Sequence, residues 1–210
     1  FCNNTNNENE MILYGVGGHT KVIIDILNTL EEEVFGIFDE RSDLVSLNGY
    51  DVLGEYDTML YENEKLVIAI EDNRARKRML PKIKHSYGTI IHPSALVSEY
   101  TKIGEGTVVV HGTIIQSGSK IGKHCILNTS CVVDHDVQIG AFSHISPNVT
   151  VCDNVIIGEG THIGAGATII PGVNIGKWCV IGAGAVINQN LPDYSLVVGV
   201  PGKIIRKLDK

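Results

Sequence analysis

From Ile91 to Ile187, every sixth residue is Ile, Val or Leu, without a break over 17 positions. These three residue types make up 63 of the 210 residues, so a chance run of this length in one register has a probability of roughly 10⁻⁹. A fixed period of this kind is typical of a solenoid, because one repeat cannot bury its own apolar face. The pattern predicts short strands separated by tight corners, with one inward aliphatic residue per strand.

A second position of the repeat is restricted in size. Four residues after each aliphatic position, from Ala95 to Ala185, the side chain is small or β-branched, and only the last, Leu191, is large. Gly directly follows the aliphatic position seven times, at Gly104, Gly122, Gly140, Gly158, Gly164, Gly176 and Gly182. We expect the small side chains to fill crowded corners and the glycines to allow the backbone conformations of the turns.

The amino-terminal half has a different pattern, in which short apolar runs alternate with segments of helical spacing. The predicted elements are a strand over Met11–Tyr14, a glycine turn over 15–19, a helix through Val22–Leu30, strands over Val34–Phe38 and Leu66–Ile70, and a basic helix over Asn73–Lys84 interrupted by Pro81. This alternation predicts a small Rossmann-like parallel sheet, whose ligands bind at the carboxyl ends of the strands.

The two patterns predict an α/β domain over 11–88, followed by the solenoid and its tail over 89–210. The first ten residues are rich in Asn and lack the basic and apolar regions of a signal peptide, so we expect residues 1–10 to be a disordered extension. No stretch approaches 18 consecutive apolar residues, so the sequence does not indicate a membrane span.

Charge and cysteine content narrow the classes of partner. The net charge of −7 argues against nucleic acid, because phosphate contacts need clustered Lys and Arg. The five cysteines form no CxxC pair, which indicates neither a disulfide framework nor a zinc site, and we expect no metal. Cys125, Cys131 and Cys179 occupy the small position of the repeat and should act as compact apolar residues. Free thiols fit a cytoplasmic location.

The solenoid contains a candidate general base, His135, in the tripeptide Asp134-His135-Asp136. A carboxylate beside an imidazole can hold its tautomer and raise its basicity, as a base near neutral pH requires. The alternative is an exposed corner histidine among solvated acids. His144 lies nine residues further on, which is half a coil if three hexapeptides make one coil. The two histidines could then share a cleft only between neighbouring subunits or along one groove.

The glycine turn and the basic helix leave alternatives open. The turn lacks the third Gly of G-x-G-x-x-G, so a tight strand-to-helix connection is sufficient reason for its glycines. The N–H groups that open the next helix can nevertheless receive a phosphate or another polar group. His19 is either a ligand contact or a polar residue of the first helical turn. Among the basic residues after Asn73 we expect only Arg76 to face a ligand.

Four features together resemble one group of enzymes: the hexapeptide run, the glycine turn ending at His19, the series Asn128, Asp134-His135-Asp136 and Phe142-Ser143-His144, and the terminal segment 198–203. They are similar to the left-handed parallel β-helix acyltransferases. More narrowly, they resemble the nucleotide-aminosugar N-acetyltransferases and sialic acid acetyltransferase homologues with a Rossmann-like amino-terminal domain. The likeness covers nearly everything from Met11 onward.

The resemblance implies a homotrimer with acetyl-CoA in a groove between adjacent β-helices. His135 would be the base and Asp136 would increase its basicity, while His144 would contact acetyl-CoA near its thioester. The remaining implied contacts are Asn128 in the same pocket, Ala165 and Ala183 along the pantetheine arm, and Gly17, Gly18, His19, Asp39 and Glu40 against the sugar nucleotide. The sequence departs from the family pattern at Glu71, where a glycine is usual, and at Gly202, where Ala is common.

These observations predict acetyl transfer to an amine of a nucleotide-linked amino-deoxysugar, specifically UDP-4-amino-4,6-dideoxy-N-acetylglucosamine. One alternative is O-acetylation of sialic acid or another sugar hydroxyl at the same site. A non-catalytic sugar-nucleotide sensor or solenoid scaffold would keep the repeat without needing the His135 tripeptide or His144. A zinc-dependent solenoid similar to carbonic anhydrase is a further alternative, which metal analysis would test.

Overall fold

The computed structural model describes residues 10–40 and 43–209. The amino-terminal elements are β1 Glu10–Tyr14, α1 Gly18–Leu30, β2 Glu33–Phe38, β3 Ser46–Leu47, β4 Tyr50–Gly54, β5 Lys65–Ile68 and α2 Asn73–Met79. They form a sheet of order β3-β4-β2-β1-β5, parallel throughout except for the β3–β4 hairpin at its edge. The predicted Rossmann-like parallel sheet is therefore confirmed, with an edge hairpin that the apolar pattern did not indicate.

The element boundaries differ from the prediction at two places. Helix α2 ends at Met79, whereas the sequence predicted a helix to Lys84. Pro81 explains the early end, because it has no N–H to donate to the carbonyl of Lys77, which accepts from Leu80 instead. Glu10, the last residue of the predicted extension, is the first residue of β1, and the rest of that extension lies outside the described residues.

From Ile90 onward the chain forms a left-handed parallel β-helix, as predicted, with eighteen residues per coil. Ile115 pairs with Val133 on one face, and Ile139 pairs with Ile157 on another. We number the three faces of the described chain in the order in which it first visits them. The first face contains β6 Ile90–Ile91, β9 Val108–Val109, β12 Ile126–Leu127, β15 His144–Ile145, β18 His162–Ile163, β21 Val180–Ile181, β23 Ser195–Val198 and β24 Lys203–Lys207.

The second and third faces are built in the same way, and β24 alone is antiparallel to its neighbour in the β-helix. The second face contains β7 Leu96–Val97, β10 Ile114–Ile115, β13 Val132–Val133, β16 Thr150–Val151, β19 Thr168–Ile169 and β22 Val186–Ile187. The third face contains β8 Lys102–Ile103, β11 Lys120–Ile121, β14 Gln138–Ile139, β17 Ile156–Ile157 and β20 Asn174–Ile175.

Three corners join these faces, and we name each by a feature that matters below. The alanine corner joins the first face to the second and includes Ala165 and Ala183. The base corner joins the second face to the third and includes His135. The docking corner joins the third face to the first, and its corresponding positions in successive coils are Gly106, His124, Phe142, Gly160 and Trp178.

The interior of the solenoid is the predicted aliphatic stack. From Val109 to Ile187 every aliphatic residue of the six-residue series is buried, and the small residues of the second series, such as Cys131 and Cys179, are buried with them. A second apolar cluster joins the two parts of the chain, because Ile90 and Val108 of the first face pack with Leu13 and with helix α1. The sheet and the first coils thus share one core.

The repeated glycines have a different role from the one we expected. Gly122 does not have a positive φ, but a Cβ at this position would lie 2.5 Å from the backbone N of Ala141 in the next coil. The positive φ angles occur two residues later, for example at His124, with φ of 53°. The glycines after the aliphatic positions therefore allow close stacking of coils, and the expectation that they serve turn conformation was wrong.

No helix among the described residues is long and apolar enough to span a membrane.

Candidate active site

A cleft of about 430 Å³ lies at the carboxyl ends of the parallel strands of the amino-terminal sheet. All five residues that the resemblance assigned to the sugar nucleotide line it, namely Gly17, Gly18, His19, Asp39 and Glu40. Glu71, which replaces a usual glycine of the family, also lines the cleft. The structure therefore brings together residues that are far apart in the sequence at the edge where such sheets bind ligands.

The glycine turn is held in shape from both sides. Thr20 Oγ1 donates to the carbonyl of Gly15 at 2.7 Å and accepts the N–H of Gly17 at 3.1 Å. The N–H of Val16 donates to Asp39 Oδ2 at 2.7 Å, which ties the turn to the end of β2. The floor of the cleft is thus ordered by contacts within the protein.

A second set of contacts orders the acidic side of the cleft. The hydroxyl of Tyr14 donates to Glu40 Oε1 at 3.3 Å, and Lys82 Nζ lies 3.2 Å from the same oxygen. Burial, followed by the nearby Glu40 carboxylate, raises the pKa of Tyr14 to about 12. Tyr14 therefore remains a hydrogen-bond donor at neutral pH.

His19 lies at the inner end of the cleft and is only 3 % exposed. Its Nε2 has no hydrogen-bond partner among the described residues. Burial, with a smaller contribution from the positive charge of Arg76, lowers the pKa of His19 to about 4. The ring is neutral at physiological pH, and a buried imidazole nitrogen without a protein partner suits contact with a polar ligand group.

His135 lies at the base corner with its side chain 52 % exposed. Its Nδ1 is 2.9 Å from Asp136 Oδ2, and its backbone N–H donates to Asp134 Oδ1 at 2.8 Å. The hydrogen bond to Asp136 is the largest cause of a raised pKa at His135, and the nearby Asp134 and Asp153 carboxylates add to it. With Nδ1–H directed at the carboxylate, Nε2 is the nitrogen that can accept a proton.

The base corner also contains a possible metal site. Asp134, His135 and Asp153 have potential ligand atoms within 4.8 Å of one another. Asp153 lies one coil beyond His135, so stacking brings the three side chains together. This group does not match the closed tetrads of His and Cys that hold structural zinc, but it gives the zinc alternative a specific set of residues to test.

The contacts of His144, which is 5 % exposed, determine its tautomer. The backbone N–H of Thr129 donates to Asn128 Oδ1 at 2.8 Å, so the Asn128 amide group must present Nδ2 to its other neighbour. That neighbour is His144 Nε2, at 3.2 Å, which therefore accepts. The neutral ring then carries its proton on Nδ1, which has no partner among the described residues.

Several groups keep His144 neutral. Burial is the main cause that lowers its pKa to about 2, and His162, Arg76 and His19 add smaller effects of the same sign. The rings of His144 and His162 lie one coil apart, with centroids 4.8 Å from each other and planes inclined by 43°. The His144 ring is thus neutral near neutral pH, and its one N–H is the Nδ1–H.

The structure places the predicted base and the predicted acetyl-CoA contact on opposite sides of one chain. His135 lies at the base corner, whereas His144 lies on the first face, which is the face that this corner does not border. Ala165 and Ala183 are exposed at the alanine corner in successive coils, and Asn128 begins the same corner two coils before Ala165. One chain therefore groups Asn128, His144 and the two alanines, and it separates them from His135.

The expectation that Arg76 faces a ligand was wrong. Arg76 is 1 % exposed, and its guanidinium donates to the carbonyls of Ile70, Glu71, His124 and Phe142 and to Asn73 Oδ1. The sequence offered little warning, because a basic residue on a short, largely basic helix is usually solvated. The same-face spacing of Asn73 and Arg76 was the available signal.

Comparisons with known proteins agree with this architecture. The family described as the PglD N-terminal domain matches residues 10–83. The bacterial transferase hexapeptide family, of six repeats, matches residues 130–165 and 154–189. No curated protein matches the chain.

Solved structures extend the similarity over almost the whole chain. A mutant perosamine N-acetyltransferase from Caulobacter crescentus, in complex with CoA and GDP-perosamine, is 37% identical with a TM-score of 0.89, covering 94% of this chain and 97% of that one. PerB from the same organism, with the same two ligands, is 40% identical with a TM-score of 0.88 over 93% and 96%. The acetyltransferase domain of PglB from Neisseria gonorrhoeae, in complex with acetyl coenzyme A, is 33% identical with a TM-score of 0.87 over 94% and 99%.

The fold and these matches define a class of enzyme. The chain belongs to the acetyl-CoA-dependent, hexapeptide-repeat sugar N-acetyltransferases, and its amino-terminal part is of the PglD type.

Proposed function

We propose that this protein transfers the acetyl group of acetyl-CoA to the amine of UDP-4-amino-4,6-dideoxy-N-acetylglucosamine, giving UDP-N,N'-diacetylbacillosamine. The observation that carries the proposal is the His135–Asp136 pair, with Nδ1 and Oδ2 2.9 Å apart, in a chain that also has a nucleotide-sized cleft. A sensor or scaffold would not need an oriented imidazole with a raised pKa. The relatives solved with CoA and GDP-perosamine support an amino sugar as the acceptor.

In the proposed reaction, the neutral amine attacks the thioester carbonyl directly. Nε2 of His135 takes the proton that the amine loses, and Asp136 stabilises the resulting imidazolium. The C–S bond then breaks and the proton held by His135 passes to the sulfur, so CoA leaves as a thiol and the neutral base is restored. Because the amine attacks the thioester directly, no covalent enzyme intermediate is needed. The protein contributes proximity, a base and donors for the oxyanion that develops.

His144 and Asn128 form the acetyl-CoA side of the proposed site. Because Asn128 occupies Nε2, the Nδ1–H of His144 is the ring donor that remains, and since this atom is buried within one chain, donation to a thioester requires the ring or its neighbours to move. A neutral ring suits this role, since it donates without competing for the proton that His135 must take. The pantetheine arm would follow the alanine corner past Ala165 and Ala183, where small side chains leave the backbone exposed.

The sugar nucleotide would occupy the amino-terminal cleft. The N–H groups at the start of α1, at Gly18 and His19, suit a diphosphate, and Asp39 and Glu40 at the end of β2 suit hydroxyl groups of a ribose or a base. A GDP-linked amino sugar is the second candidate, because two of the similar proteins were solved with GDP-perosamine.

A homotrimer is part of the proposal. Because His135 and His144 lie on opposite sides of one chain, a site that contains both needs His135 from one copy and His144 from its neighbour. In a closed trimer of β-helices, each of the three interfaces pairs His135 of one copy with His144 of its neighbour. We place the reaction in the cytoplasm, which fits the free cysteines among the described residues.

An acceptor panel tests the proposed function. Purified protein, acetyl-CoA and either the UDP-linked 4-amino sugar, GDP-perosamine or sialic acid are incubated, and CoA release and product mass are measured. We expect a nucleotide amino sugar to exceed sialic acid by at least about 10² in kcat/KM, because a misplacement of about 1 Å can cost this much.

Each rival predicts a different outcome of the same panel. Comparable turnover of sialic acid would favour the O-acetyltransferase, and binding without acetylation of any acceptor would favour the sensor. A stoichiometric metal in the purified protein, with activity lost on chelation, would favour the zinc alternative.

A further inference from the structure

Helix α2 contacts the docking corner through a set of hydrogen bonds that follows the repeat. The carbonyls of His124, Phe142 and Gly160 occupy the same position in three successive coils. Arg76 Nε donates to the first at 2.9 Å, Arg76 Nη2 to the second at 2.9 Å, and Asn73 Nδ2 to the third at 3.1 Å. Two side chains of one helix thus bind three consecutive coils.

The same guanidinium holds the loop that borders the nucleotide cleft. Arg76 Nη1 donates to the carbonyl of Ile70 at 2.7 Å and to that of Glu71 at 2.9 Å, and both residues line the cleft. Nη2 also donates to Asn73 Oδ1 at 2.8 Å, which orients the Asn73 amide toward Gly160. All five N–H groups of the side chain are therefore occupied.

The side reached by Arg76 is the side of the proposed acetyl-CoA pocket. Phe142, whose carbonyl accepts from Arg76, lies two residues before His144 in the same coil. Glu71 and Asp72, in the loop that Arg76 holds, lie close enough to His162 to affect its pKa. The loop after β5 therefore borders both the cleft and the histidine pair of the first face.

We propose that Arg76, together with Asn73, is a positioning residue that fixes the nucleotide cleft in register with the coils that carry His144. This inference rests on the proposed function, and it concerns how the acceptor bound on one part of the chain meets the thioester bound on another. The shared apolar core and the backbone hydrogen bonds of residues 86–88 to Leu66 of β5 place the sheet against the first coil. Five directed hydrogen bonds from Arg76 and Asn73 to backbone carbonyls then fix the loop after β5 relative to the coils of His124, Phe142 and Gly160.

The charge of the side chain acts in the same direction as its geometry. Burial lowers the pKa of Arg76 to about 10, so the guanidinium is still protonated at neutral pH. Its positive charge is a secondary cause, after burial, of the lowered pKa of His19, His124, His144 and His162. A lysine at this position would keep the charge but could not bind two coils and the loop with one nitrogen.

The test compares Arg76→Lys and Asn73→Ala with Arg78→Met, an exposed residue of the same helix, as the control. Steady-state kinetics with the best amino-sugar acceptor and calorimetric binding of UDP or GDP are measured on folded protein. We expect Arg76→Lys to lower kcat by at least about 10² and Asn73→Ala by about tenfold, with the KM for acetyl-CoA within about threefold of wild type. Nucleotide affinity should also stay within about threefold, and Arg78→Met should match wild type.

A purely structural role gives a different result, namely a lower Tm with unchanged kcat for the folded protein. That result would overturn the inference.

Hydrogen exchange supplies a readout that does not depend on turnover. In Arg76→Lys we expect amides of residues 69–73 to exchange at least about tenfold faster than in wild type and in Arg78→Met. If wild type acetylates no amino sugar, the proposed function has failed, and unchanged exchange in Arg76→Lys would separately reject the positioning role.

Discussion

The variant His135→Ala is expected to lower kcat by about 10²–10⁴ while the protein keeps its fold and its affinity for acetyl-CoA. The reason is that the amine must lose a proton as it attacks, and the imidazole held by Asp136 is the described base at the exposed corner. His135 is half exposed and contributes nothing to the buried stack, so its removal leaves no cavity. The measurement is steady-state kinetics with the amino sugar varied in the presence of acetyl-CoA, alongside Tm and mass by light scattering.

One result of this experiment would reject the assignment, and another would call for a second variant. Activity within about threefold of wild type would show that another group takes the proton. A large fall in Tm would mean that the lost activity reports folding rather than catalysis, and the isosteric variant His135→Asn would then be needed to separate the two effects.

A second large effect is expected from Ile139→Asp, which should prevent the protein from folding or assembling. Ile139 is 3 % exposed and stacks on the aliphatic residues of the coils on either side. A carboxylate there has no partner, and burying a polar group unpaired costs several kcal/mol, a large part of the about 5–15 kcal/mol that stabilises a typical domain. Circular dichroism and light scattering on the purified variant measure the outcome.

The neighbouring residue provides a matched control. Gln138 belongs to the same strand, but its side chain is exposed, so Gln138→Asp adds the same charge one residue away without burying it. We expect this control to melt as wild type does. If Ile139→Asp also keeps wild-type Tm and mass, the inward register described above is incorrect.

The repeat made most of the fold predictable. A period of six residues over 17 positions sets which residue of each strand points inward, and stacking then sets the pairing, as in Ile115 with Val133. Local sequence did not reveal the β3–β4 hairpin, because strands of two and five residues without buried alternation have almost no signal of their own. The sequence alone also suggested the wrong reason for the repeated glycines. They are required by the close approach of the backbone of the next coil and not by the turn.

The candidate site was predictable where chemistry and sequence position coincide. Asp136 is adjacent to His135 in the chain, so their contact followed from the tripeptide. The strand ends predicted the edge where a ligand binds, and the resemblance implied which residues line the cleft there. The contacts of Arg76 could not be predicted from the sequence, because its acceptors are carbonyl groups up to 66 residues away, and every residue type presents the same carbonyl. A hydrogen bond to a backbone carbonyl does not depend on the residue type of the acceptor, so the sequence gives no sign of it.

The tautomer of His144 is another feature that only the three-dimensional structure provides. It depends on Thr129 N–H, Asn128 and the ring forming a chain of contacts across one coil. Asn128 and His144 were implied together by the resemblance, but the direction of donation was not. The direction matters for the proposal, because it makes Nδ1–H the one donor of the His144 ring.

The most direct test of the central claim, amine acetylation with His135 as the base, is the pH profile of kcat/KM for the amino sugar in wild type and in Asp136→Asn. Asn tolerates the positive φ of 58° at this position, so the backbone should not change. The hydrogen bond that His135 donates to Asp136 raises the pKa of His135, and the active base exists above that pKa. Removing the bond lowers the pKa, so the active form appears at lower pH.

We predict two ionisations on the rising limb in wild type, one from the acceptor amine and one from His135. In Asp136→Asn the ionisation of His135 should move to lower pH, and the maximum of kcat/KM should fall because the base is weaker. The ionisation of the acceptor amine should stay at the same pH. A single ionisation in wild type that is unmoved in Asp136→Asn would contradict the claim that His135 removes a proton from a sugar amine.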